Sequence, residues 1–420
     1  MAAMRMIAGL DIGNGYVKAS VMAHGGGMTD VDMPSCVAHW LPKDGDVRRS
    51  APADVAEEVA GIFDQMNVSF DSPAIEDKER FLVGARAVTC GRVPVQFDLN
   101  GVRSKSEQAL TFQLALASIA GKALQDAYVA AGNRIPDGTI GVDVVAAAMA
   151  LPITEYKDKE IRKNYAKAYT DNVHVVTFHN FVQDVRVEIR FQNVMVNAEG
   201  AAAQLGIVSK GPDMVEAMLQ DVRLHGVELA DITANDVISA TSTLGVDIGE
   251  GTVNFPVFIN GRFSTDASST MLTGYGKVME DALEELIKQK KPYKSRKELT
   301  EFLNNPPMNK TSVIYRKRYE SIQKVVDGEI AGFVDSVVNE FTKVMNRTGA
   351  QIEVIYVYGG GASPMQRELF PKLLKALQVF DGAEIITPVL YMDSRYSRNL
   401  NREGLFAMAE AMAAKSAGKG

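Results

Sequence analysis

The chain has 420 residues, a net charge of −7, 46% hydrophobic and 23% charged residues. That length supports two substantial cores, and the acidic balance excludes a protein that binds polyanions over its whole surface. Two cysteines, Cys36 and Cys90, exclude a disulfide framework and point to a reducing cytoplasm, while the absence of a signal-peptide layout and of a long apolar run points to a soluble protein with no membrane segment.

In chain order, residues 6–23 read as a β-hairpin around Gly13-Asn14-Gly15, and residues 30–38 as a third strand. Residues 43–100 are rich in Pro, Gly and Asp and read as an irregular, surface-exposed insertion. Ser104 and Glu107 have capping-box spacing and open a helical pattern that runs to about Ala131. "TIGVDVVAAAMALP" reads as a buried strand ended by Pro152, followed by a charged helix from Tyr156 to Ala168 and strands at 172–179 and 183–191. "VMVNAEGAAAQLG" reads as a strand that turns into a helix near Glu199, and residues 213–224 as a helix. After the polar stretch "DITANDVISATST" comes a second hairpin. Tyr275, Val278, Met279, Ala282, Leu283, Leu286 and Ile287 mark an amphipathic helix. Residues 288–318 form a basic, proline-interrupted insertion, 319–346 a helix, and "IEVIYVYGGG" a strand that meets a glycine turn. Helices from Pro364 to about Leu377 and at 402–414 complete the chain, with the tail "AAKSAGKG" read as frayed.

The chain writes one hairpin twice. "GLDIGNGYVKASV" at residues 9–21 and "GVDIGEGTVNFPV" at 245–257 share 7 of 13 positions without a gap. Glycine pairs in such turns let backbone N–H groups approach a ligand, and successive N–H groups form an anion-binding concavity. Gly13, Asn14, Gly15 and Tyr16 are therefore candidates to cradle one part of a polyphosphate, and Gly249, Glu250, Gly251 and Thr252 another. Lys18 can place a cation on the phosphates, while Asn254 stands at the matching place in the second copy. Asp11 and Asp247 precede the turns, where carboxylates suit Mg²⁺ riding on substrate phosphates. Gly359, Gly360 and Gly361, with Met365 beyond them, offer a flat surface to a base or ribose; the plain alternative is a strand-to-helix turn. Glu199 is placed to orient a water for attack on a terminal phosphate, the alternative being an acidic residue that suits a first helical turn. No metal-site spacing among the five histidines, no Walker A motif and no nucleophile elbow competes with this chemistry.

In this order and spacing the motifs resemble those of the actin-like ATPase superfamily. "DIGNGYVKAS" is similar to its first phosphate motif, "NAEGAAAQLG" to the first connecting segment, and "GVDIGEGTVNF" to the second phosphate motif. "VYGGGASPM" is similar to the adenosine motif, and "RNLNREGLFAMA" to the second connecting segment, where Gly404 permits close helix packing. Within the superfamily the chain most resembles ParM/StbA-type plasmid-segregation actins, to which "ALPITEYKDKEIRK" is also similar. The 43–100 and 288–318 segments depart from that pattern.

The resemblance implies an α/β fold of two related domains, each a mixed β-sheet flanked by helices, with a nucleotide cleft between them. Domain I takes 1–205, with 43–100 as an inserted subdomain and 389–420 returning to it; domain II takes 206–388, with 288–318 inserted. It implies ATP (or GTP) with Mg²⁺ as cofactors, and catalysis by Glu199, Asp247 and Asp11, the two aspartates organising the metal. It implies a cytoplasmic filament that assembles head to tail and hydrolyses ATP, and a DNA-bound adaptor as partner for plasmid segregation, with neither direct DNA binding nor membrane contact. Two other readings stay open at this point. One is a small-metabolite kinase on the same fold. The other is a non-enzymatic DNA-binding or scaffold protein, favoured by "KQKKPYKSRK" at 288–297, where six of ten residues are basic.

Overall fold

The computed structural model describes all residues except 1–2, 46–47, 99–103, 228, 230, 309–311, 350, 383–386, 393 and 418–420. Parts of the expected insertions 43–100 and 288–318, and the end of the expected frayed tail, lie outside the described residues. The chain divides into two compact units, one of residues 1–206 and 399–420, the other of 207–398.

The first unit is built on a ten-stranded mixed sheet. Its strands are β1 (Met4–Ile12), β2 (Tyr16–Ala23), β3 (Met28–Pro34), β4 (Val37–His39), β5 (Asn67–Asp71), β6 (Arg80–Val83), β7 (Ile140–Leu151), β8 (Val173–Phe178), β9 (Val185–Phe191) and β10 (Val194–Ala198). They lie in the order β3-β2-β1-β7-β9-β8-β5-β6-β4, with β10 also on β7. Its helices are α1 (Pro52–Ala60), α2 (Ile62–Gln65), α3 (Ala85–Thr89), α4 (Ala109–Ala130), α5 (Ile153–Tyr156), α6 (Lys159–Thr170) and α7 (Ala201–Ser209).

β1, β9 and β10 all run parallel to β7, so their carboxyl ends share one edge of the sheet. A bulge in β7 makes this sheet two-sided in an unusual way. Met6 pairs with Val144 and Ile7 with Ala146, leaving Val145 unpaired in the register. The extra residue flips the alternation. Val142 and Val144 before it, and Ala147, Met149 and Leu151 after it, enter the main core, while Ala146, Ala148 and Ala150 enter a second, small-residue cluster.

Residues 43–100 are not an irregular surface insertion. β5 pairs antiparallel with β8, and β6 joins β5 to β4, so the segment completes the sheet. Val55, Ile62, Met66, Val68 and Phe70 are core residues. Asn180, fully buried, stitches the segment in place: its side chain donates to Glu58 Oε1 at 2.6 Å and to the Gln65 carbonyl at 2.7 Å.

The second unit has a seven-stranded mixed sheet: β11 (Thr243–Ile248), β12 (Val253–Phe255), β13 (Val257–Ile259), β14 (Arg262–Phe263), β15 (Ser269–Met271), β16 (Val354–Tyr358) and β17 (Val389–Tyr391). β11 and β16 pair in parallel, with every residue of both buried. β16 is a continuous aliphatic and aromatic run, as expected of a strand covered on two faces, while β11 carries Thr243 and Asp247 among its apolar residues. Its helices are α8 (Pro212–Leu224), α9 (Ala234–Ser239), α10 (Tyr275–Lys288), α11 (Arg296–Leu303), α12 (Val313–Thr348), α13 (Ala362–Asp381) and α14 (Ser394–Ser397). α9 lies within the stretch read only as polar; Thr233 caps it, accepting from the Asp236 N–H.

The last helix, α15 (Leu400–Ala417), belongs to the first unit and continues through most of the tail expected to fray. It rests on the alanine face of β7, where Ala146, Ala148 and Ala150 pack with Ala202, Leu405 and Ala409. Small residues set how closely it seats. A Cβ on Gly9 of β1 would press on the Phe406 backbone, one on Gly206 would stand 2.8 Å from the Leu400 carbonyl oxygen, and one on Gly404 would overlap the Ala202 carbonyl. Arg402 anchors the helix to Asp30 on β3 at 3.1 Å. Gly404→Leu is therefore expected to destabilise the protein by about 3 kcal/mol, the scale of overpacking a rigid contact. Glu410→Leu, on the exposed face of the same helix, is expected to cost little. Equal thermal midpoints for wild type and Gly404→Leu would contradict this account of the packing.

Candidate functional site

The two hairpins repeat in space what they repeat in sequence. In the first, Asp11 on β1 is the register partner of Lys18 on β2, and Lys18 in turn of Asp32 on β3. Directly opposed residues share a face, so the lysine stands between two carboxylates. In the second, Asp247 is the partner of Asn254, and Asn254 of Thr270, whose hydroxyl donates to Asn254 Oδ1 at 2.8 Å. Both turns need glycine at their first position. A Cβ on Gly13 would stand 2.7 Å from the Tyr16 carbonyl oxygen, and one on Gly249 would stand 3.1 Å from that of Thr252.

The carbonyl groups of both turns are held from outside. Ser35, at the end of β3, donates its hydroxyl to the Gly13 carbonyl at 2.5 Å and its N–H to that of Gly15 at 3.0 Å. At the second turn the first N–H groups of α10 do the same work. Tyr275 donates to the Gly249 carbonyl at 2.9 Å and Gly276 to that of Glu250 at 2.8 Å. The turn amides are left over. Among the described residues, the N–H groups of Gly13, Asn14 and Gly15, and of Glu250, Gly251 and Thr252, donate to no acceptor.

Within the second unit, the glycine run after β16 is built against the second hairpin. Asp247 is the register partner of Tyr358. Gly359, at φ +96°, lies so close that a Cβ there would be 2.6 Å from Asp247 Oδ1. Gly361 donates its N–H to the Ile248 carbonyl at 2.8 Å, and a Cβ on it would be 2.7 Å from both Ile248 Cγ2 and Tyr275 Cβ. Gly360 is exposed with open space around it. Met365, expected beside the base or ribose, is fully buried in α13.

Glu250 differs from the expected simple turn residue. Its carboxylate accepts from Arg296 Nη1 at 3.0 Å, and the same nitrogen also donates to the Gly276 carbonyl at 3.3 Å. The basic segment thus lends Arg296 to the turn, a link across 46 residues that spacing gives no sign of. What Glu250 can offer a ligand is its backbone N–H.

In the first unit, Asp11 is the penultimate residue of β1 and Glu199 follows β10, with β7 between them and all three strands parallel. Two strand spacings put their backbones roughly 10 Å apart on one sheet edge, the edge where ligands bind in parallel sheets. Asp11 is 8% exposed and its carboxylate, among the described residues, has no hydrogen-bond or ion-pair partner. Glu199 is equally buried, but its Oε1 meets Lys105 Nζ at 2.5 Å. Lys105 sits in a 3₁₀ turn, Lys105–Glu107, and the Ser104–Glu107 capping box closes that turn rather than α4 itself, which begins at Ala109. The box was visible in the sequence; the lysine's partner, 94 residues away, was not.

The comparisons agree with this geometry. A family model described as the N-terminal domain of actin-like proteins matches residues 9–201, and one described as the C-terminal domain of archaeal MreB-like actin homologues matches residues 245–370. No curated protein sequence matches the chain. Among solved structures, the actin-like protein Alp7A is similar with a TM-score of 0.65 at 17% identity, over 99% of this chain and 98% of that one. The archaeal actin homologue Ta0583 is similar with a TM-score of 0.58 at 13% identity, over 97% and 99%. A Bacillus thuringiensis ParM solved with AMPPNP gives a TM-score of 0.55 at 15% identity, over 97% and 99%. Two mixed sheets flanked by helices, a hairpin repeated at the head of each and family models that begin on those hairpins have one explanation: the chain belongs to the actin-like superfamily and has ParM-like relatives.

Proposed function

We propose that the chain is an ATPase that binds one Mg-nucleotide through both of its repeated turns and assembles into filaments. The observation that carries this reading is, among the described residues, the set of six turn amides without acceptors, three in each hairpin, together with the buried, unpartnered carboxylate of Asp11 in the first unit. The turn residues are mostly half-buried, with Gly251 buried and Glu250 exposed, so a ligand can reach N–H groups that the chain leaves without acceptors. Anionic phosphate oxygens are the acceptors that fit. That B. thuringiensis ParM has been solved with ATP, ADP and AMPPNP supports a nucleotide as the ligand.

The roles follow from chemistry. Turn amides and Lys18 hold the phosphates and balance their charge. Asp11 and Asp247 are the carboxylates that would hold Mg²⁺, through its water shell, and the ion would add charge neutralisation at the phosphates. Glu199 takes the proton of the attacking water as its oxygen bonds to the terminal phosphorus and the bond to the bridging oxygen breaks, giving ADP and phosphate. Gly359 to Gly361 receive the nucleoside.

Filament formation is proposed from the superfamily. A head-to-tail contact that does not close yields a polymer. ATP favours that polymer, hydrolysis weakens it, and a DNA-bound adaptor links it to plasmid segregation in the cytoplasm. The basic segment supports this over direct DNA binding, because Arg296 is paired with Glu250 and Lys291 donates to Ser321 Oγ at 2.8 Å. No described helix is long and apolar enough to cross a membrane.

Asp247→Ala is expected to lose most phosphate release while keeping its circular dichroism spectrum; unchanged turnover would remove the second hairpin from the site. Glu199→Gln is expected to keep ATP binding and to slow hydrolysis by roughly 10²-fold, the usual scale for a lost general base. Sedimentation after ATP addition should then show polymer that persists in the mutant and decays in wild type. Normal hydrolysis by Glu199→Gln would refute the assigned role of this carboxylate.

A further inference from the structure

The buried ion pair of Lys105 and Glu199 is not explained by stability. Desolvating two charges offsets most of their attraction, so a buried pair is about as stable as apolar side chains of the same volume. Here the pair sits on the sheet edge that bears the first phosphate turn, and one member is the residue assigned to the attacking water. While the ammonium pairs with Glu199 Oε1, it holds the carboxylate's charge and makes Glu199 a weaker base toward a water.

We propose that Lys105 is the residue that distinguishes a nucleoside triphosphate from a diphosphate: its ammonium pairs with Glu199 when no terminal phosphate is present, and moves to that phosphate when it is. This rests on the nucleotide reading above and extends it to a residue outside the recognised motifs. The local construction suits a moving side chain on a fixed base. The two oxygens of Glu155 accept the Lys105 N–H at 2.8 Å and the Ser106 N–H at 2.9 Å. Thr111 Oγ1 donates to the Lys105 carbonyl at 2.8 Å, and the Ser104 hydroxyl donates to Glu107 Oε2 at 2.6 Å. The backbone is thereby pinned, and only the four-carbon stem is free to swing its three donors. The Phe97 ring lies 5.6 Å from the ammonium and gives it an electrostatic resting place that does not compete for its hydrogen-bond donors. An ammonium leaving a carboxylate needs another anion, and a terminal phosphate carries the charge to compete for it. Transfer of the lysine then does two things at once. It adds a cation to the phosphate under attack, and it restores the basicity of Glu199 toward the water. A diphosphate lacks that third phosphate to draw the lysine away, so Glu199 stays paired with Lys105 after the reaction.

The test is calorimetric titration of the full chain with Mg-AMPPNP and with Mg-ADP. Wild type is expected to bind AMPPNP more tightly than ADP. Lys105→Met, which keeps the volume and removes the charge, should lose AMPPNP affinity by roughly tenfold or more, the value of one charged hydrogen bond, with ADP affinity nearly unchanged. Lys105→Arg should recover part of the preference. If Lys105→Met does not fold with Glu199 left unpaired, the double variant Lys105→Met/Glu199→Gln leaves no unpaired charge and is compared with Glu199→Gln alone, with the same loss of preference expected. An affinity ratio that survives removal of the lysine, or an equal fall for both nucleotides, overturns the proposal and leaves the nucleotide site standing. A wild-type chain that binds neither nucleotide overturns the nucleotide reading itself.

Discussion

Both hairpin turns depend on the same arrangement of hydrogen bonds: their carbonyl oxygens are occupied from outside, so their N–H groups are what remains to offer a ligand. A tight turn has no inherent reason to show one polarity. Ser35 fixes it at the first turn and the first two amides of α10 fix it at the second. The partners differ, a side chain in one case and a helix end in the other, yet the result is the same. Close backbone approach then follows, which is why Gly13, Gly274 and Gly276 cannot carry a side chain without displacing a neighbour: at each, a Cβ would fall within 2.7 Å of an oxygen.

The rest of each unit positions these turns. In the first, parallel β1, β7 and β10 bring Asp11 and Glu199 to one edge. The bulge at Val145 lets β7 serve two layers, with larger apolar residues toward the main core and alanines toward α15. In the second, the β11–β16 pair sets Asp247 against Gly359, so the second hairpin turn and the glycine run form one assembly. The same duplication that is visible in the sequence therefore reaches the register, where Asp11 opposes Lys18 and Asp247 opposes Asn254.

How far the sequence can be read depends on whether a feature is local. The hairpins, the strand ended by Pro152 and the helix begun at Tyr275 rest on residues near one another in the chain, and each is found; the close packing of Gly404 on Ala202 joins distant segments and was legible only through the resemblance. The sheet strands within 43–100 were missed because β5 is held by β8, about a hundred residues later, and its own five residues carry little pattern. α9 was missed because its six residues are mostly polar and its capping pair, Thr233 and Asp236, stands in a stretch without apolar periodicity. The site shows the same division. The turn glycines and preceding aspartates are legible as parts of a repeated hairpin, since that geometry is local to the motif. Arg296 on Glu250 and Lys105 on Glu199 are not, because each joins segments far apart in the chain.

The most direct measurement is hydrogen–deuterium exchange of the turn amides with and without a non-hydrolysable ATP analogue. The account predicts that Gly13 to Gly15 and Glu250 to Thr252 exchange readily in the free protein and become protected together when the analogue and Mg²⁺ are added. Protection elsewhere with both turns still exchanging freely, or no protection at all, would contradict it.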